Sequence, residues 1–153
     1  MASVKGLTSN GAPGFLVAWD VDADGSLSQN YSTYFPPTRE GQHEYGFTYL
    51  FGSEGYVLSD GVVGGVLYDF SKGYDPKNVI SKNLPIPNQV ATCWVVYSTK
   101  SGSYFFTDAI AEKIYEYTID ALNLNATPVR QYIVAEGVPG PTDSAIGTFG
   151  GNQ

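Results

Sequence analysis

The chain has 153 residues, enough for one domain with a real core, and only 15% of them are charged. Its net charge of −7 and its 8 basic residues, scattered singly, offer no cationic patch for a phosphate backbone, which argues against nucleic acid as a partner. No run approaches the roughly 20 apolar residues of a membrane-spanning helix, and Met1 to Gly6 lack the pattern of a signal peptide.

With 12 Tyr, 8 Phe, 18 Gly and 9 Pro, the composition is that of a turn-rich, aromatic all-β protein. In chain order, the first strand-like run is Val17-Ala18-Trp19-Asp20-Val21. Asp22-Ala23-Asp24-Gly25-Ser26 follows it as a hairpin turn leading to Leu27. That turn looks superficially like a calcium loop, but it lacks the later acidic ligands and the bidentate Glu. These strands end at Phe35-Pro36-Pro37. Strands are then expected over 46–51, 56–59, 66–70 and 79–84, and again over 92–97, 104–107, 114–119 and 129–134, each set between Gly- and Pro-rich turns. Residues 109–124 are the one stretch where a helix competes, because alternation there is poor at either period.

An internal repeat decides for strand. Tyr56-Val57-Leu58-Ser59-Asp60 returns 48 positions later as Tyr104-Phe105-Phe106-Thr107-Asp108, and Val66-Leu67-Tyr68-Asp69-Phe70 returns 49 positions later as Tyr115-Glu116-Tyr117-Thr118-Ile119. The run at Val17 precedes Val66 by the same 49. Four short strands in a period of about 45 residues are the mark of a β-propeller blade. The expected fold is therefore a partial β-propeller of about three four-stranded blades. Residues 13–36 form a half blade holding only its last two strands, 43–87 and 88–140 form two complete blades, and 141–153 start a further one. Tyr49, Leu58, Tyr68, Trp94, Phe106 and Tyr117 are expected in the core, and Trp19 should stack at the same repeat position as Tyr68 and Tyr117. An unclosed fan exposes apolar side faces, so missing propeller blades or self-association are the implied partners.

In a propeller, the loops entering the innermost strand and those joining the second and third strands share one face around the channel mouth, where ligands gather. On that face fall Arg39, His43 and Glu44, which unite a cation, a base and an acid within six residues. They read either as a polar surface loop or as catalytic groups. Asp60 and Asp108 recur at one repeat position and read either as turn caps that accept backbone N–H bonds or, with Gln89 and Asp143, as ligand-binding groups at the mouth. Cys93 is the only cysteine and lies in an apolar run, which suits a buried small hydrophobe. No motif asks for a cofactor or a metal. Asn30-Tyr31-Ser32 and Asn125-Ala126-Thr127 are glycosylation sequons, and with Asn78 they should fall in the equivalent solvent-facing loop of successive repeats. A secreted, extracellular parent protein follows if the sequons are used.

Glu44 to Ser53, Val57 to Phe70, Ala91-Thr92-Cys93-Trp94, Gly102 to Asp108 and Val129-Arg130-Gln131-Tyr132 resemble the middle of fungal secreted proteins of the 3-carboxymuconate cyclase-like family. The resemblance covers roughly residues 37–150, and the Thr-Cys-Trp and Thr-Asp pairs are its most specific part. It implies a seven-bladed propeller related to lactonases and cycloisomerases. The favoured expectation is a scaffold that binds a small molecule or a surface partner at the channel mouth. The alternative is a lactonase or cycloisomerase acting on carboxylated lactones or muconates.

Overall fold

A computed structural model describes residues 1–7, 11–38, 43–134, 137 and 140–147. Among these the protein is all-β, with strands β1 (Ala2–Val4), β2 (Phe15–Val21), β3 (Leu27–Tyr34), β4 (Glu44–Tyr49), β5 (Gly55–Asp60), β6 (Gly64–Asp69), β7 (Ile80–Pro85), β8 (Thr92–Ser98), β9 (Ser103–Asp108), β10 (Lys113–Asp120) and β11 (Asn125–Ile133). They form three antiparallel sheets in sequence order, β1-β2-β3, β4-β5-β6-β7 and β8-β9-β10-β11. Each is a meander joined by hairpins. The helix that competed over 109–124 is replaced by a turn and β10, as the repeat required.

The sheets stack face to face because their strands alternate. In the second sheet Leu58, Val66 and Tyr68, with Phe70 just after β6, pack toward the first sheet and meet Leu16 and Tyr34. Val57 and Leu67, on the opposite face, join Val95, Tyr104, Phe106, Tyr115 and Tyr117 of the third. This period-two alternation puts apolar side chains on both faces of the middle sheet. Along one edge of the stack β4 lies beside β8, and β1, the edge strand of the first sheet, lies beside β4.

Several expectations are corrected. The N-terminal sheet has three strands rather than two, because Ala2–Val4 pairs with Phe15–Val17. Of residues 141–153, expected to start a further blade, 141–147 are described and contain no strand, and the rest lie outside the described residues. Tyr49 is 62% exposed rather than buried, and Trp94 is only half-buried. Both belong to first strands, whose free side opens to solvent instead of to another sheet. Trp19 is likewise half-buried and pairs with the exposed Tyr31, with ring centroids 6.1 Å apart. Leu58, Tyr68, Phe106 and Tyr117 are in the core as expected.

Candidate functional site

The repeated Asp60 and Asp108 cap turns. Asp60 Oδ1 accepts the N–H groups of Val62 (2.7 Å) and Val63 (3.0 Å), and its Oδ2 accepts that of His43 (2.9 Å). Asp108 repeats the pattern: Oδ1 takes Ile110, Ala111 and Ala91, and Oδ2 takes Val90. Each carboxylate therefore ties the turn of its sheet to the chain entering that sheet's first strand. Both residues are fully buried, with both carboxylate oxygens taken by backbone N–H groups. Gln89 is also engaged in the frame, donating from Nε2 to Val62 O (2.7 Å) and accepting from the Thr92 N–H and hydroxyl (3.1 Å each). Asp143 is exposed and accepts only the Ser144 N–H among the described residues.

Glu44 behaves differently. It stands opposite Asp60 in the sheet, as Thr92 stands opposite Asp108 one repeat later. At a position of shared architecture, one repeat carries a hydroxyl answered by Gln89 and the other a carboxyl. Glu44 is 1% exposed, its Oε1 accepts the Tyr68 hydroxyl at 2.6 Å, and its Oε2 has no partner among the described residues. Burial, with a smaller push from the Asp60 carboxylate, raises its pKa to about 8 against the opposing Tyr68 hydrogen bond. The carboxyl is thus neutral at neutral pH and has an O–H to donate. Burial and the same pairing raise the Tyr68 phenol well above its ordinary range, so it stays the donor to Glu44.

Glu44 lines an open groove of about 560 Å³ where β1, β4 and β8 converge. Its walls include Ser3, Lys5, Tyr45, Trp94 and Ser144. The Lys5 ammonium lies 5.2 Å from the Tyr45 ring centre, and Tyr45 in turn stacks near Trp94, with centroids 6.4 Å apart and planes 22° apart. Gly46 makes room for this ladder: a Cβ there would come within 3.0 Å of Trp94 Cδ1. The groove thus offers one cation, two aromatic faces and one neutral carboxyl.

Of the three expected catalytic residues, only Glu44 lines the groove. His43 lies against Gly61, to which it donates no side-chain proton; instead its carbonyl accepts the Gly61 N–H (2.9 Å), and its buried Nε2 is without a partner among the described residues. Arg39 lies outside the described residues. Sequence reasoning missed Lys5 and Tyr45 and placed Trp94 in the core. The signal available was departure from the repeat, since Glu44-Tyr45-Gly46 answers Thr92-Cys93-Trp94 with no residue in common. Cys93 is half-buried, and burial pushes its thiol up, away from a reactive thiolate.

Asn30 and Asn125 are both exposed, but they do not share a loop. Asn30 lies inside β3, because the Asp22–Ser26 turn is short, held by Asp24 Oδ1 accepting the Ser26 N–H (2.9 Å). Asn125 begins β11 and accepts from Lys82 Nζ (2.7 Å), whereas Asn78 is in the turn before β7. Compared with protein-family models, curated proteins and solved structures, the chain matches none of them.

Proposed function

We propose that the three sheets are consecutive β-propeller blades and that the groove across their first strands binds a small carboxylated molecule with an unsaturated or ring portion. The observation that carries this is the neutral, unpartnered Glu44 carboxyl beside a Lys5–Tyr45–Trp94 ladder. Buried polar groups are normally paired, so an orphaned one lining a groove marks a place where a ligand supplies the partner. A ligand carboxylate suits Lys5, a flat ring or conjugated chain suits Tyr45 and Trp94, and a carbonyl oxygen accepts from Glu44. Meander topology, face-to-face stacking and the adjacency of the equivalent first strands β4 and β8 support the propeller reading. Exposure of both sequon asparagines fits a secreted, glycosylated protein.

A second reading, a lactonase or cycloisomerase acting on carboxylated lactones or muconates, is favoured by one fact. A carboxyl titrating near 8 can give and take a proton at neutral pH. Trp94 lines the groove and Trp19 does not, so a Trp19→Phe protein reports on the groove through its fluorescence. Titration with muconolactone and with cis,cis-muconate should change Trp94 emission, and binding should weaken as pH rises through 8. Glu44→Gln should keep binding and lose that pH dependence, whereas Glu44→Ala should weaken it ~5–10-fold. Absorbance change on incubation, abolished in Glu44→Gln, selects the enzymatic reading; unchanged Trp94 emission with both probes refutes both.

A further inference from the structure

We infer that the open face of the third sheet and the outward face of the first are two halves of one interface, through which a second copy of this chain docks head to tail. The argument starts from a hydroxyl placed three times. Strand register aligns Ser3, Ser59 and Thr107 at one repeat position: Ser3 pairs with Leu16, Ser59 with Gly65 and Thr107 with Ile114. The Ser3 hydroxyl donates to the Tyr45 carbonyl of the second sheet's first strand. The Ser59 hydroxyl donates, at 2.6 Å, to the Cys93 carbonyl of the third sheet's first strand. Thr107 is 1% exposed, and its Oγ1 has no partner among the described residues. In two cases out of three the hydroxyl bridges to a carbonyl of the next sheet; in the third, no described residue supplies that carbonyl.

The surface around Thr107 shows the same vacancy on the scale of a whole face. Val57 and Leu84 of the second sheet are 0% and 2% exposed because the third sheet covers them. Their equivalents, Phe105 and Tyr132, line with Ile114 and Val96 an open groove of about 600 Å³, and Tyr132 is 37% exposed. At the other end of the stack, Trp19 of β2 corresponds to Tyr68 of β6, a side chain with which the second sheet meets the first, and it is half-buried; Val17, which answers Val66, is already covered at 4% exposure. By strand alternation Trp19 points away from the second sheet, and it pairs with Tyr31, which is 62% exposed. One end of the molecule thus presents the kind of face that, inside this chain, packs against the kind of face presented by the other.

A backbone edge completes the match. Because Ser3 answers to Ser59, β1 corresponds to a second strand, and the first sheet has none in the place of β4 or β8; β1 is an edge. Residues 140–147 belong to no sheet, and they leave the third sheet as the chain leaves the second. Ile86 donates its N–H to Val63 at the β5–β6 turn, and Val134 donates its N–H to Glu112 at the β9–β10 turn; Gly140 then lies against the Ala109 carbonyl. Ser144, Ala145 and Ile146 then run along the inner end of the open groove. A second copy offering its β1 edge to this segment adds a strand to a sheet edge, the commonest way one chain extends the sheet of another. The contact is heterologous, joining unlike faces, so a dimer keeps one face of each kind free, one on each copy.

Sedimentation velocity of the full chain across ~1–200 μM tests this, and the expected result is mass rising from monomer to dimer or beyond. Phe105→Lys blocks one half of the interface and Tyr31→Lys the other; each alone should weaken association at least ~10-fold, because a charge enters an apolar contact. Mixing the two variants should restore a dimer through the one interface whose faces are both intact. Circular dichroism and melting verify folding, and Tyr132→Lys replaces Phe105→Lys should the latter fail to fold. A chain that stays monomeric throughout overturns the inference. So does association that neither variant weakens, or variants that do not rescue each other.

Discussion

The second and third sheets are written from the same repeat and share Tyr56 with Tyr104, Asp60 with Asp108 and Tyr68 with Tyr117 on the inner face, yet their outer faces part company. In the second sheet, Val57, Ser59, Leu67 and Leu84 are covered by the third and are all at most 2% exposed. At the corresponding places the third sheet has Phe105, Thr107, Glu116 and Tyr132. Phe105 and Tyr132 are larger than the residues they answer, and Glu116 needs the Tyr132 hydroxyl, 2.7 Å from its Oε2, to be tolerated at 7% exposure. Repetition therefore preserves what faces the preceding sheet and relaxes what faces the next. The difference is instructive because it separates side chains that build the stack from those that end or extend it.

The largest effect should come from emptying the covered face. Leu67→Ala removes a fully buried side chain between two sheets and is expected to cost ~3 kcal/mol in urea unfolding. Phe105→Ala, on the open face, should cost about 1 kcal/mol at low protein concentration, since that ring is only half-buried. Equal losses for the two would erase the distinction between the faces. A cost for Phe105→Ala that grows with protein concentration would sharpen it, as expected if a second copy covers the ring.

Next comes the carboxyl that one repeat has and the other lacks. In the fold Glu44 stays protonated up to about pH 8, while in the unfolded chain it ionises near its ordinary 4.5. Between those values the unfolded state has released a proton that the folded state still holds. Stability linked to Glu44 is therefore complete below about 4.5, declines as pH rises, and is lost above about 8. Glu44→Gln keeps the acceptor for Tyr68 and cannot ionise. It should match the parent near pH 4 and exceed it at pH 8.5 by on the order of a few kcal/mol in thermal or urea unfolding. Parallel pH profiles for the two proteins would show that Glu44 is charged in the fold.

How much of this was legible in the chain depends on whether the determinant was repeated. Tyr56 to Asp60 and Tyr104 to Asp108 announced two sheets, and within them the buried Leu58, Tyr68, Phe106 and Tyr117, because period-two alternation and a shared register carry over from copy to copy. Ala2–Val4 escaped notice because three residues are too few to show a period; their strand is created by pairing with β2. Tyr49 and Trp94 were misplaced because being in a strand does not say whether a sheet lies on each side of it. Glu44 was singled out for its neighbours His43 and Arg39, but its chemistry is set by burial, opposed by the hydrogen bond from Tyr68, 24 positions on. Lys5, Tyr45 and Trp94 come from three separate elements, and only packing brings them together.

The smallest effect isolates a single hydroxyl. Ser59→Ala takes a donor from the Gly46 and Cys93 carbonyls, which lie within 3.1 Å of the serine oxygen at a buried place, and should cost about 1 kcal/mol. Thr107→Val deletes the equivalent hydroxyl where no carbonyl meets it, and keeps the branched shape that suits a strand. Relief of an unpaired buried donor should leave the monomer as stable as the parent or about 1 kcal/mol more stable. The two substitutions should thus have opposite signs although they fall at the same repeat position. Measured where the chain self-associates, Thr107→Val should lose its advantage, because the bridge it deletes is then made to the second copy. Opposite signs at low concentration that converge at high concentration would place the missing carbonyl on a partner chain; a destabilising Thr107→Val at every concentration would mean the hydroxyl is already paired within the monomer.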